Sequence, residues 1–234
     1  MDAEEKSIRY RIFFKSSKVE IDQTVVLNDG NFEHPAQKTD IPDWCQLGYK
    51  QCPNCTLSPI WHPYCPLAVR LIPFVNLPAC NSYDEVSAKV EMENKVITTE
   101  TSAQEALSSL VGLVIATSGC PHTRFFKPLA WFHNPFSSPE ETLYRTCAAY
   151  LFSCISHRKP DQPEISFELL KEIYKNIHII NVNIAARIHN HSETDSVLNA
   201  IVLIDLITKE LPITIDDDLS DVKRLFQCHK TLFE

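Results

Sequence analysis

The chain has 234 residues, of which 44% are hydrophobic and 22% charged, a composition typical of a folded globular protein. Its formal net charge of −8 disfavours general binding to nucleic acid or to an anionic membrane. The longest apolar run, Ala200 to Ile204, is far shorter than the roughly 20 residues of a membrane span. The acidic N-terminus is unlike a secretory signal, so we expect a cytoplasmic protein.

The first hundred residues predict a small antiparallel β-sheet. Polar and apolar residues alternate from Ile8 to Phe14 and from Lys18 to Leu27, with two serines between them, which is typical of a β-hairpin. The alternation returns from Glu85 to Thr99, with a turn signal at Asn94. We expect one or two further strands there, paired with the first hairpin.

A proline- and cysteine-rich segment, residues 42–78, lies between these strand regions. It holds seven of the fifteen prolines but only one glycine, so its backbone should be irregular and stiff. Irregular backbone needs a source of order other than its own hydrogen bonds, and a bound ion supplies one because its binding energy becomes folding energy. Residues 66–75 predict a short helix with Pro66 in its first turn.

Residues 101–234 predict a helical bundle. Thr101 or Ser102 caps a helix that Gly119 ends, and Ser138 opens a second helix with a capping box. Ser166 is the predicted cap of a third helix, with an apolar stripe running to Ile188.

The segment 196–210 is apolar nearly all round, which predicts the central buried helix of the bundle. The expected fold class is therefore α+β, with the sheet region (1–100) and the bundle (101–234) packed as one globular unit.

The proline-rich segment contains a metal-ligand pattern. Cys52, Cys55, His62 and Cys65 follow C-x2-C-x6-H-x2-C, four soft ligands within fourteen residues. A Cys-x2-Cys turn aims two thiolates at one ion, and the His/Cys pair completes a tetrahedral zinc site of the Cys3His type.

A second ligand set replaces His62 by the remote Cys120. Cys52, Cys65 and Cys120 are each followed by proline, a feature found beside iron–sulfur clusters, so four thiolates with Cys55 suit a [4Fe–4S] cluster. Zinc is the preferred cofactor and the cluster the alternative, while the choice of His62 or Cys120 as the fourth ligand stays open.

Acidic residues are absent from 44–83 and again from 106–138, the two stretches that hold these candidate ligands. A metal bound by several thiolates carries net negative charge. The absence of carboxylates and the presence of nearby cations therefore lower the free-energy cost of burying such a site. The same pattern is also expected of segments that are simply apolar.

The aromatic-rich connection after Cys120 contains further candidates. His122 can extend the ligand set, and Cys120 with His122 or His133 as base is a candidate nucleophilic pair. Arg124 and Lys127, with His133, form a candidate binding site for a small anion such as phosphate. No residue is assigned a catalytic role on this basis.

Five short elements resemble those of an uncharacterised bacterial cysteine-rich family. They are QCPNCTL (51–57), CPLAV (65–69), SGCPH (118–122), FHNPF (132–136) and EETLYR (140–145). Thr56 departs from the family pattern by replacing a proline, with little consequence for ligation. The resemblance implies no reaction, but it draws Cys120, His122 and His133 into one site with the first cysteines and implies a bacterial setting.

The sequence thus predicts a metal-binding protein with a structural or regulatory role, recognising a protein partner or a small anion. The alternative is an iron–sulfur redox protein or a metal-dependent enzyme that acts near Cys120, His122 and His133.

Overall fold

The structure is a computed structural model that describes residues 5–28, 41–75, 77, 81–158, 165–192, 195–217, 219 and 223–232. A four-stranded antiparallel sheet at the N-terminus is followed by helices, so the predicted α+β class is confirmed.

The sheet is built from two hairpins in the order β2-β1-β3-β4. Its strands are β1 (Glu5–Phe14), β2 (Glu20–Asn28), β3 (Glu85–Met92) and β4 (Lys95–Ser102). β1 pairs with both β2 and β3, which joins the two hairpins as predicted. One face is apolar because alternate residues of β1, from Ile8 to Phe14, are buried while their neighbours face outward.

Most of the helices begin close to their predicted positions, although the last α-helix runs beyond residue 210 and a short helix forms in the predicted connection after Cys120. They are α1 (Pro66–Val75), α2 (Ala103–Ala116), α3 (Lys127–Trp131), α4 (Pro139–His157), α5 (Glu168–Ile188) and α6 (Ser196–Asp216). Short 3-10 helices form at Asp43–Cys45, Pro121–Phe126 and Arg224–Leu232. None of the helices among the described residues is both long and apolar enough to cross a membrane.

Two of the predicted helix caps are confirmed. Ser102 Oγ accepts a hydrogen bond from the Glu105 N–H, and the Glu105 carboxylate accepts one from the Ser102 N–H. Ser138 and Glu141 form the same reciprocal pair at the start of α4. The predicted cap at Ser166 is wrong, because α5 begins after Phe167, which offers no capping oxygen.

The helix with the most buried surroundings is α2, not α6. Nine of the fourteen residues of α2 are buried. On α6, Val202, Leu206 and Ile213 form a stripe in which each residue is between 48% and 60% exposed. The prediction of a central α6 was wrong because an all-round apolar sequence does not show which faces find a partner; α6 packs on α2 and α5 and leaves its third face open.

The main core cluster joins the sheet to the rest of the chain. It contains residues of the strands, of the proline-rich segment, and of α1, α2, α5 and α6. A smaller cluster lies between α4, α5 and α6, and Phe126 packs against both clusters. The segment that carries the cysteines is therefore seated on the main core.

Candidate metal centre

Backbone hydrogen bonds join residues 45–47 to residues 63–65, at the two ends of the cysteine-bearing loop. The Leu47 N–H donates to the Pro63 carbonyl (2.8 Å) and the Cys65 N–H donates to the Cys45 carbonyl (2.8 Å). An isolated antiparallel bridge joins Gln46 and Tyr64 between them. Cys65 is thereby held at the entrance to α1, while the loop between the two segments carries Cys52 and Cys55.

Cys52 and Cys55 share a tight turn, in which the Cys55 N–H donates to the Cys52 carbonyl at 3.0 Å. The neighbouring Asn54 is anchored to α5, since its side-chain amide lies 2.8 Å from Asn176 Oδ1. The Cys-x2-Cys turn is consequently fixed against α5 from outside.

Cys120 reaches the same place through Gly119. Gly119 has φ +82°, a left-handed conformation that favours glycine, and it reverses the chain after α2. A Cβ at this glycine would lie 3.8 Å from Pro66 Cβ, so the turn is in contact with the residue that follows Cys65. The remote cysteine is thus brought beside the loop cysteines by backbone geometry.

Four cysteines line one small cavity of about 20 Å³, together with His122 and Arg187; the four are Cys52, Cys55, Cys65 and Cys120. The remaining walls are mainly apolar side chains such as Leu47, Leu67 and Ile184. A cavity of this size has room for about one water-sized species. In the part of the chain that the structure describes, no three His, Cys, Asp or Glu side chains are arranged to hold a metal ion. The four cysteines therefore line one cavity without forming a coordination shell as their side chains are placed.

The cavity favours neutral thiols when no cation is present. Burial raises the pKa of Cys120 to about 12, against the opposing effect of the His122 N–H, and nearby Cys65 raises it further. Burial also raises the pKa of Cys52 to about 11, with Cys65 the next cause. Thiolates at this site therefore require a positive partner.

Arg187 supplies one permanent positive charge to the cavity. Its side chain is 1% exposed, and its guanidinium donates to the carbonyls of Trp44 (3.0 Å), Gln46 (2.8 Å) and Leu47 (2.9 Å). Among the described residues no carboxylate pairs with it, and its Nε has no hydrogen-bond partner. A buried cation without a counter-ion is costly, so the arrangement indicates that negative charge belongs in the cavity.

His122 lines the cavity with one ring nitrogen already engaged. Its Nε2 lies 2.6 Å from the Asn54 carbonyl oxygen, which can only accept, so the proton belongs on Nε2. The neutral ring then has a bare Nδ1. Donation of the second ring N–H to a backbone carbonyl is the usual arrangement of a metal-binding histidine.

His62 lies away from the cavity. It belongs to an exposed loop tip, where Ile60 and Trp61 are 82% and 80% exposed, and its N–H donates to the Ser58 carbonyl. The structure therefore gathers the second predicted ligand set, with Cys120, around the cavity and leaves His62 outside it.

The candidate anion-binding residues make separate contacts. His133 Nε2 lies 2.6 Å from Tyr10 Oη, which also lies 2.8 Å from Ser109 Oγ, and burial lowers the pKa of His133 to about 3. Arg124 is exposed and Lys127 is half-buried. Of the residues that the resemblance drew into one site, Cys120 and His122 line the cavity and His133 lies against β1.

Sequence reasoning did not single out Arg187 or Cys45. Arg187 lies three residues after Ile184 and seven after Ile180, on the buried stripe of α5, where a cation is out of place. A charged residue on an apolar stripe was therefore the sequence signal for a functional Arg187. Cys45, directly after Trp44, could have been considered as a further thiol near the candidate ligands.

These features define an α+β protein with a cysteine-lined cavity between a proline-rich loop, the turn after α2, and α5. The chain belongs to the DUF6901 family, a domain of unknown function whose model matches residues 8–227. The predicted membership of an uncharacterised family is thus confirmed. No curated protein and no solved structure matches the chain.

Proposed function

We propose that this protein is a cytoplasmic metalloprotein in which the thiolates of Cys52, Cys55, Cys65 and Cys120 hold one zinc ion. The observation that carries the proposal is that four cysteines from two distant segments line one small cavity. Four cysteine thiolates are an ordinary ligand set for a structural zinc ion.

The size of the cavity favours a single ion over a cluster. At about 20 Å³ it accommodates one small species, whereas a [4Fe–4S] cluster contains eight atoms and would have to displace the surrounding core. Zinc therefore remains the preferred cofactor, and the iron–sulfur cluster the less favoured one.

The charges around the cavity suit a thiolate-bound dication. Zinc with four thiolates carries a formal charge of −2, and Arg187 offsets half of it without help from any other buried cation on the cavity wall. The acid-free composition of residues 44–83 acts in the same direction, since no carboxylate there adds to the negative charge.

The proposed role is structural or regulatory, because four protein ligands leave no open position for a substrate. Zinc would tie the cysteine-bearing loop to the turn at Gly119, and the loop tip with Ile60 and Trp61 would then be presented rigidly to a protein partner. All eight cysteines of the described chain are unpaired thiols, which favours a reducing compartment such as the cytosol.

A second candidate is a reactive metal site with three cysteines and His122. The bare Nδ1 of His122, fixed by the Asn54 carbonyl, favours it. Such a site would still have four protein ligands, but it would leave the fourth cysteine as a free thiol beside the metal, so the protein would act in redox chemistry at that sulfur.

Elemental analysis of protein purified without a metal-binding tag tests the proposal. We expect one zinc per chain in the wild type, in His62→Ala, and in Cys147→Ser, a buried thiol of the other core cluster. Cys52→Ser and Cys120→Ser should lose the metal. A metal-free wild type, or retention of zinc by both cysteine variants, would overturn the proposal, and loss of zinc from His122→Ala with retention in Cys120→Ser would favour the second candidate.

A further inference from the structure

A fifth thiol lies beside the proposed ligands and is not needed by them. Cys45 is completely buried, belongs to the same core cluster as Cys65, and is not part of the cavity wall. Four thiolates already complete a tetrahedral zinc site. The sulfur of Cys45 is therefore a surplus thiol next to a full shell.

Backbone pairing places Cys45 directly opposite Cys65. The Cys65 N–H donates to the Cys45 carbonyl at 2.8 Å, and the adjoining Gln46–Tyr64 bridge fixes the antiparallel register. Cys45 is the last residue of the Asp43–Cys45 3-10 helix, where its own N–H donates to the Pro42 carbonyl, so one hydrogen bond and the adjoining bridge hold the two cysteines together. An antiparallel backbone pairing brings opposed Cα atoms to roughly 5.5 Å, and disulfides form at Cα separations of about 4.4–6.8 Å.

The electrostatics of Cys45 agree with this placement. Burial raises the pKa of Cys45 to about 12, the nearby Cys65 thiol raises it further, and the Arg187 guanidinium lowers it. Cys45 is thus close enough to Cys65 and to Arg187 for both to affect its pKa. Cys45 is 0% exposed, which shields its sulfur from direct oxidation, whereas Cys65 would be a thiolate as a zinc ligand.

We infer that Cys45 and Cys65 form a disulfide when the site meets hydrogen peroxide, and that this bond releases the metal. The inference rests on the proposed function for the metal that is released and for the thiolate form of Cys65 in the loaded site. The Cys65 thiolate attacks the peroxide oxygen and becomes a sulfenic acid, with hydroxide as leaving group. The Cys45 sulfur then displaces the sulfenic oxygen, so the two thiols are oxidised by two electrons and the peroxide is reduced to two waters.

The Cys52–Cys55 turn is the competing disulfide. Both sulfurs are more exposed than Cys45, so a bond between them is open to attack by the neighbouring Cys65 thiolate. Exchange followed by attack of Cys45 moves the bond to the buried pair without further oxidant. Burial then protects the Cys45–Cys65 bond from reductants, which makes it the end point.

The test treats the zinc-loaded full chain with hydrogen peroxide, follows zinc with a colorimetric chelator, and maps disulfides by mass spectrometry after alkylation. We expect a Cys45–Cys65 linkage that appears together with free zinc, and recovery of both thiols after reduction. Cys45→Ala should still bind one zinc but release it at least about tenfold more slowly, because the resolving thiol is gone. The matched control Cys147→Ala removes a buried thiol of the other core cluster and should release zinc like the wild type.

Zinc release from Cys45→Ala at the wild-type rate, or a map with only Cys52–Cys55, would overturn the inference. If Cys45→Ala does not fold, the wild-type disulfide map decides. If the wild type proves metal-free, the proposed function fails separately, and the map of the peroxide-treated metal-free chain still tests the Cys45–Cys65 bond.

Discussion

Replacement of Arg187 by methionine separates its structural role from its proposed electrostatic role. Methionine keeps much of the aliphatic volume but removes the donors to the carbonyls of Trp44, Gln46 and Leu47. Three hydrogen bonds from a charged donor, at roughly 1.5 kcal/mol each, give a loss in unfolding free energy of about 4–5 kcal/mol. This loss applies whether or not the cavity holds an ion.

The zinc-loaded protein should lose more, because the charge that offsets the thiolates disappears as well. At a separation of about 6 Å and an effective dielectric constant of about 20, each unit of negative charge on the site contributes about 3 kcal/mol, so the formal charge of −2 contributes about 5–6 kcal/mol. Linkage requires the same quantity to appear as weaker zinc binding, by about ten-thousandfold.

The assay is urea unfolding of wild type and Arg187→Met, each with zinc and after chelation, alongside a zinc competition titration. Arg145→Met is the matched control, since Arg145 also donates to two carbonyls, those of Leu129 (3.3 Å) and Phe132 (2.5 Å), but is not part of the cavity wall. The loss in unfolding free energy caused by Arg145→Met should be the same with and without zinc. Equal losses for Arg187→Met with and without zinc would refute the electrostatic reasoning.

Three further outcomes are expected. Gly119→Ala should lower the unfolding free energy by about 1–2 kcal/mol and weaken zinc binding, because a residue with a Cβ disfavours φ +82°. The effect comes from the backbone, since the added Cβ would have its nearest contact at an ordinary 3.8 Å. An unchanged urea midpoint and an unchanged zinc affinity would contradict this prediction. The unfolding free energy should fall as the pH drops from about 6.5 toward 3. Burial, aided by Arg145 and Lys95, lowers the pKa of His133 and holds it neutral in the folded state, while the unfolded state binds the proton. His133→Gln should flatten this pH dependence in urea titrations, and an equally steep curve for the variant would contradict the prediction. Zinc chelation should speed amide hydrogen exchange in residues 48–65 and 119–123 while β1 keeps its protection, and uniform acceleration would instead indicate global loosening.

The sheet and most helix boundaries follow from local chemistry. Alternation in β1 and β2 reflects one buried face, and the capping boxes at Ser102 and Ser138 depend only on residues three apart. Ser166 failed as a cap because a hydroxyl near a helix start is not by itself evidence of the hydrogen bond. The burial of α2 in place of α6 depends on which faces meet after folding, and periodicity carries no such information.

The cavity was predictable in part. Spacing identified Cys52, Cys55 and Cys65, and Cys120 stood as an alternative to His62; the choice between them depends on long-range geometry at Gly119 and Pro66. Arg187 comes from a helix more than a hundred residues away, so its contact with the loop carbonyls has no local signature. Motif spacing identifies candidate ligands that are close in sequence, but it does not identify residues that a distant helix contributes to the same site.

The position of Cys120 has a consequence for how the protein is made. Between Cys65 and Cys120 the chain contains both strands of the second hairpin and all of α2. A ribosome delivers the loop cysteines early, and the fourth sulfur emerges only after β3, β4 and α2 have been synthesised. In the proposed zinc site, the ion would close a ring around that whole stretch, so its full set of ligands would be present only after β3, β4 and α2 have been synthesised.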